Sequence, residues 1–173
     1  VDTTFTLRDG EYQTLTLIHE LGHALGLEHP FSKSGSGGET SDPPFLTGIE
    51  DSTAWTVMSY TDSPSQNFLL YSPLDIAALQ YLYGPSKAAR AGNDTYKISS
   101  VGPNFVWDGA GLDLIDAGSV NQAATVYLTP GYQGFLGSAK AEKITTSGQI
   151  TVNFGSVIEN LIGSNYDDNL YCN

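Results

Sequence analysis

Between residues 11 and 25 apolar positions recur at helical spacing on two sides of the repeat. Leu15, Ile18, Gly22 and Leu25 line one side, and Leu17, Leu21 and Ala24 line another. The pattern predicts a helix over 11–25, buried beneath other structure. Asp9 is its expected cap, and Glu11 lies near the positive end of its dipole. Ahead of it Val1, Thr3, Phe5 and Leu7 alternate loosely, as in a strand. A second helix is expected between Ser72 and Gly84. Ser72 can cap it, Pro73 suits the first helical position, and Asp75 can return a hydrogen bond to the cap residue. Gly84-Pro85 ends it. Residues 31–55, rich in Ser, Gly, Pro and acids, read as a long loop that is either functional or disordered.

After residue 90 the texture changes. Strand-like runs at 95–98, 104–107, 114–116, 124–128, 149–154 and 157–162 are separated by Gly, Asn and Asp. A spacing of about ten residues between turn signals predicts an all-β module of sandwich or roll type. The fold class is therefore α+β, with a helical part over 1–85 and a β part over 86–173.

Composition narrows the function. The 173 residues carry 19 acidic against 7 basic side chains, for a net charge of −12, which argues against nucleic acid and anionic membrane as partners. No stretch approaches the eighteen or so apolar residues of a membrane span. The single Cys172 forms no internal disulfide. The chain opens on Val1 without a signal peptide, and it is expected to begin part-way through a protein.

The densest chemistry lies on the first helix. His19-Glu20-Leu21-Gly22-His23-Ala24-Leu25-Gly26-Leu27-Glu28-His29 reads His-Glu-x-x-His-x-x-Gly-x-x-His. His19 and His23, one turn apart, face the same way and can hold one metal ion. Glu20 is placed to reach an attacking water without being a ligand. Gly26 takes the left-handed conformation that ends a helix, so the chain can double back with His29 as third ligand. Pro30 keeps the helix from resuming. Three neutral imidazoles leave a fourth position open on tetrahedral zinc, the catalytic rather than the structural pattern. Two histidines on a helix surface are the plain alternative. All three histidines of the chain stand in this one motif, which argues against it.

The motif resembles the extended zinc signature of the metzincin peptidases. Downstream Thr56-Val57-Met58-Ser59-Tyr60 is similar to the Met-turn of that clan and carries the only Met of the chain. The spelling Val-Met-Ser-Tyr, the His29-Pro30 pair and the later segments resemble the serralysins, secreted bacterial endopeptidases with a calcium-binding β-roll. The resemblance implies that Met58 forms a floor beneath the zinc. It also implies that Tyr60 approaches the metal as an additional ligand and later donates to the oxyanion. It further implies that a substantial N-terminal part of the peptidase domain, including a substrate-binding sheet, belongs with this chain and is absent from it.

Two knots of oxygen donors follow, Arg90-Ala91-Gly92-Asn93-Asp94-Thr95 and Asp108-Gly109-Ala110-Gly111-Leu112-Asp113. From the residues alone these are Asp/Gly turns or calcium ligands. The resemblance pairs them. One calcium takes oxygens at Arg90, Gly92, Asp94, Asp108, Ala110 and Asp113, and a second takes Gly111, Asp113, Val157 and Glu159. Asp94, Ala110 and Val157 depart from the family's residues, and Ala110 and Val157 would ligate through carbonyls. Residues 157–170 resemble the entrance to the roll, yet only Gly163, Asp168 and Leu170 of its repeat remain, too few for a calcium repeat. The expected protein is thus an exported zinc endopeptidase with structural calcium, acting on protein or peptide substrates and open to a proteinaceous inhibitor. A calcium-binding module with a vestigial zinc site, or a matrixin-like peptidase, are the alternatives.

Overall fold

The computed structural model describes residues 7–8, 10–31, 43–63 and 69–173. The strand expected over 1–7 (Leu7 apart), the capping role of Asp9 and the Gly-rich stretch 34–38 lie outside these residues. Two units are distinguished, Val1–Leu79 and Gln80–Asn173, and the α+β class is as expected.

The first unit holds helix α1 (Tyr12–Ala24), a single 3-10 turn (Gly48–Glu50) and helix α2 (Pro73–Tyr83), within which the division falls. Helix α1 is one residue shorter at each end than predicted. Glu11 occupies its cap position in an extended conformation without a side-chain cap. The incoming chain is tied instead to the Arg8 carbonyl, which accepts from Glu11 N–H at 3.2 Å and Thr14 Oγ1 at 2.7 Å. Only one of the two apolar sides is covered by described residues. Leu15, Ile18 and Gly22 are buried, while Leu17 and Leu21 are 43% and 46% exposed. Leu15, Ile18, Leu27, Val57 and Met58 form the core of this unit, with Tyr71, Ala78 and Leu79 packed against it.

The end of α1 carries the turn that the sequence called for. Gly26 has φ +91°; Leu27 N–H donates to Gly22 O and Gly26 N–H to His23 O, both at 3.0 Å. This paired closure satisfies the last carbonyls of the helix and reverses the chain toward His29.

The second unit is built from eight short strands: β1 (Thr95–Lys97), β2 (Asn104–Val106), β3 (Leu114–Asp116), β4 (Ala124–Tyr127), β5 (Gln133–Leu136), β6 (Gln149–Val152), β7 (Asn160–Ile162) and β8 (Asn169–Tyr171). One sheet runs β1-β3-β7, parallel throughout. The other runs β2-β6-β5-β4-β8, with β2/β6 and β4/β8 parallel and β5 antiparallel to both neighbours. Along the chain β1, β3 and β7 join the first sheet while β2, β4, β5, β6 and β8 join the second, so the backbone crosses between sheets at every step except the consecutive run β4-β5-β6. Buried Ile98, Val106, Ile115, Val126, Ile150, Val152 and Ile158 make the core of this winding. The loop ahead of β8 is pinned by Asp168, whose carboxylate accepts from Ser164 N–H, Ser164 Oγ and Ala124 N–H at 2.6–2.8 Å. Burial works against that charge, but these hydrogen bonds outweigh it and hold the carboxyl below its ordinary range.

Candidate metal centre

The three imidazoles converge. His19 Nε2 lies 3.2 Å from His29 Nε2, and His23 Nε2 lies 3.1 Å from the same atom. The opposite nitrogens are occupied: His19 Nδ1 is 2.8 Å from Val57 O and His23 Nδ1 is 2.9 Å from Leu27 O. A carbonyl only accepts, so each Nδ1 carries the proton and each Nε2 turns a lone pair inward. His29 Nε2 can donate to one of these lone pairs but not to both. A cation between the rings satisfies all three. With Zn–N bonds of about 2.0–2.1 Å, tetrahedral ligands stand roughly 3.3 Å apart, close to the spacings seen. The donor set fits zinc, and the backbone bonds at Nδ1 are the outer partners such ligands require.

The surroundings come from α1 itself, from Phe31 and from the stretch 57–62. Tyr60 stacks on His19 at 5.7 Å between ring centroids and meets His29 at 4.8 Å. Phe31, which the sequence did not single out, lies parallel to His29 at 5.2 Å and also touches Tyr60. Met58 is 1% exposed and packs on α1 at Gly22, where a Cβ would stand 2.6 Å from its Sδ. Gly22, between the first two histidines, is therefore small because methionine sulfur occupies the space a side chain would need. Gly22→Ala should cost about 1–3 kcal/mol through overpacking, read as a lower Tm. An unchanged Tm would mean that Met58 moves aside freely. Glu20 is exposed and lines a cavity of about 350 Å³ together with His19, Tyr60, Leu15, Val57 and Asp62.

A model of the metallo-peptidase family M12B, reprolysin-like, matches residues 3–83, the stretch that holds the histidines, Met58 and α2. Serralysin of Proteus mirabilis is 32% identical over 187 residues, covering 95% of this chain and 36% of that protein. Serralysin G of Dickeya chrysanthemi is 31% identical over 177 residues, covering 91% and 36%. Metalloprotease AprA of Pseudomonas entomophila is 31% identical over 190 residues, covering 95% and 37%. The chain is thus similar to the serralysins over more than nine-tenths of its own length. It spans a little over a third of the length of these relatives.

In this serralysin-like chain Asp75 has a larger role than the capping foreseen for it. Its buried carboxylate accepts from Ser72 N–H at 2.9 Å, as a capping residue does, but also from Val57 N–H at 2.8 Å and Thr56 Oγ1 at 2.6 Å. Thr56 Oγ1 in turn accepts from Met58 N–H at 3.1 Å. Ser72, expected to cap with its hydroxyl, instead donates it to Thr53 O at 2.7 Å. Asp75 thus clamps the Met58 turn onto the start of α2, and that turn holds Val57 O against His19. Burial pushes the Asp75 carboxyl up, against the hydrogen bonds from Thr56, Val57 and Ser72 that favour its charge.

The second unit brings together most of the acidic residues singled out above. Carboxylate oxygens of Asp94, Asp108 and Asp113 lie within 4.8 Å of one another, although Asp108 and Asp113 are 1% and 0% exposed. Among the described residues Asp108 Oδ1 and Asp113 Oδ2 have no hydrogen-bond partner. Buried orphan oxygens on neighbouring anions are costly unless a cation joins them, so the set fits a hard divalent ion. Burial, with the facing carboxylates of Asp108 and Glu159, pushes the Asp113 carboxyl up despite a hydrogen bond from Asp94 N–H. The backbone partners close in as well. Ala110 N–H donates to Arg90 O at 3.4 Å, and a side chain at Gly111 would strike the Gly92 carbonyl. Of the second expected set, Glu159 Oε2 accepts from Asp113 N–H at 2.8 Å, whereas Val157 is exposed and its side chain brings no oxygen.

Proposed function

We propose that the chain is the zinc-binding part of an endopeptidase that hydrolyses peptide bonds in proteins. The observation that carries this reading is the convergence of three Nε2 atoms beside a cavity lined by the carboxylate of Glu20. His19, His23 and His29 would hold the zinc; when bound, it supplies an acidified water and a polarised scissile carbonyl. Glu20 takes a proton from the attacking water and passes it to the leaving amine. Tyr60, packed on His19 and His29, lies where its hydroxyl can donate to the oxyanion. Asp75 keeps Val57 O on His19, which fixes the tautomer that presents Nε2.

Residues 1–85 form the peptidase part in this reading, and 86–173 a β module stapled by calcium at Arg90, Gly92, Asp94, Asp108, Ala110 and Asp113. Gly111, Asp113, Val157 and Glu159 frame a second calcium. The exposed Leu17 and Leu21 would be covered by the remainder of the peptidase domain, and the resemblance to serralysins supports a site of action outside the cell. Casein hydrolysis by the protein that carries this chain, abolished by a zinc chelator and restored by added zinc, is the expected result. A fully folded protein that holds no zinc, or hydrolysis indifferent to the chelator, would overturn it.

A further inference from the structure

The two buried aspartates of the acidic cluster share a feature that the cation alone does not require. Each has one oxygen occupied and one left open. On Asp113, Oδ1 accepts from Asp94 N–H at 2.8 Å and Oδ2 is unpartnered; on Asp108, Oδ2 lies 2.5 Å from the Tyr96 hydroxyl and Oδ1 is unpartnered. Tyr96 therefore does for Asp108 what a backbone amide does for Asp113.

The hydroxyl has two candidate acceptors and one proton. It lies 3.0 Å from Trp107 O and 2.5 Å from Asp108 Oδ2. A bond from O–H to a carboxylate at that distance is the charge-assisted one and takes the proton. Trp107 O is supplied from elsewhere: Arg90 Nη1 donates to it at 2.9 Å, while the guanidinium lies 4.1 Å above the Trp107 ring. Arg90 holds this place from a left-handed backbone, φ +49°, which a residue with a side chain adopts only at a cost. The arrangement leaves Tyr96 nothing better than Asp108 to donate to.

We propose that Tyr96 is the positioning residue of this cation site, its hydroxyl occupying Asp108 Oδ2 so that Oδ1 alone is turned toward Asp113 and Asp94 as a ligand for a calcium-like ion. The proposal rests on the reading of the cluster as a calcium site. Tyr96 touches no ion and acts through Asp108; Arg90 acts one step further out, by satisfying the competing acceptor. Outer hydrogen-bond partners of metal ligands are worth about 10–100-fold in affinity, and Tyr96→Phe removes one while keeping the ring.

The experiment is a calcium titration of the protein that carries this chain, by calorimetry and by the Tm gained on adding calcium over chelator. Wild type, Tyr96→Phe, Asp108→Asn and the double variant are compared. Tyr96→Phe is expected to weaken calcium binding roughly tenfold or more and to shrink the calcium-dependent part of Tm. In the Asp108→Asn background the same change should weaken binding little further, since coupled partners are non-additive. A merely structural tyrosine would lower Tm equally with and without calcium and leave the affinity as it was, which overturns the proposal. Equal losses of affinity in both backgrounds overturn it too. Should Tyr96→Phe fail to fold, Arg90→Met decides. Tighter or unchanged calcium binding there counts against the proposal; a several-fold loss supports it. Absence of calcium binding by wild type removes the site itself, a result distinct from binding that Tyr96→Phe leaves intact.

Discussion

Glu20→Gln is expected to lower kcat for peptide hydrolysis by about 10²–10⁴-fold, the contribution typical of a general base, while the protein keeps its zinc. The two halves have separate causes. Glutamine has the size of glutamate but cannot take a proton from water. The converging nitrogens belong to His19, His23 and His29, with the Nε2 atoms of His19 and His23 each 3.1–3.2 Å from that of His29 and Glu20 not among them. Zinc analysis and steady-state kinetics on the same preparation check both halves. Near-normal turnover would remove Glu20 from its role, and loss of zinc would make it a ligand or a support of one.

The second large effect belongs to Asp75, far in sequence from any histidine. Asp75→Ala should cost about 3–5 kcal/mol, because it leaves the donors of Ser72, Val57 and Thr56 buried without an acceptor. Zinc affinity should fall with it, by about tenfold or more, as Val57 O loosens from His19 Nδ1. Asp75→Asn sharpens the test. Its amide oxygen can accept from both N–H groups and its NH2 can donate to Thr56 Oγ1, so the loss should be much smaller. Burial already pushes the Asp75 carboxyl toward its neutral form, consistent with hydrogen bonding rather than charge as what matters here. Thermal unfolding and zinc titration of the two variants decide it. Equal damage from alanine and asparagine would show that the charge itself is required.

Some of this was legible in the residues. The helix carrying His19 and His23, the reversal at Gly26 and the turn at Met58 are local patterns, and the chain folds there much as they prescribe. Six of the eight strands coincide with short apolar runs. The two that escaped have physical reasons. β5 contains Gly134 within a Gly-rich stretch that reads as a turn, yet a side chain there would strike the Thr125 carbonyl of the adjoining strand. The glycine marks close approach of two backbones, not a bend. β8 is fully exposed and so lacks the apolar alternation that announces a half-buried strand. Phe31 carried no signal either, since stacking on His29 depends on where the chain goes after the Gly26 turn.

The amino-acid sequence by itself determined the layout of the candidate metal centre: which nitrogens can meet, which carboxylate stands beside them, and where the helix must stop. Those facts follow from spacings of three to ten residues along one helix and its turn. Tertiary structure decided the rest. The distribution of strands between one parallel and one mixed sheet, the grip of Asp75 on the Met58 turn, and the choice of which oxygen of Asp108 stays free each join residues distant along the chain. Strands of three or four residues do not say whom they pair with, and a carboxylate does not say which of its oxygens a neighbour will claim. Those outcomes are settled only when packing brings the partners within hydrogen-bond reach.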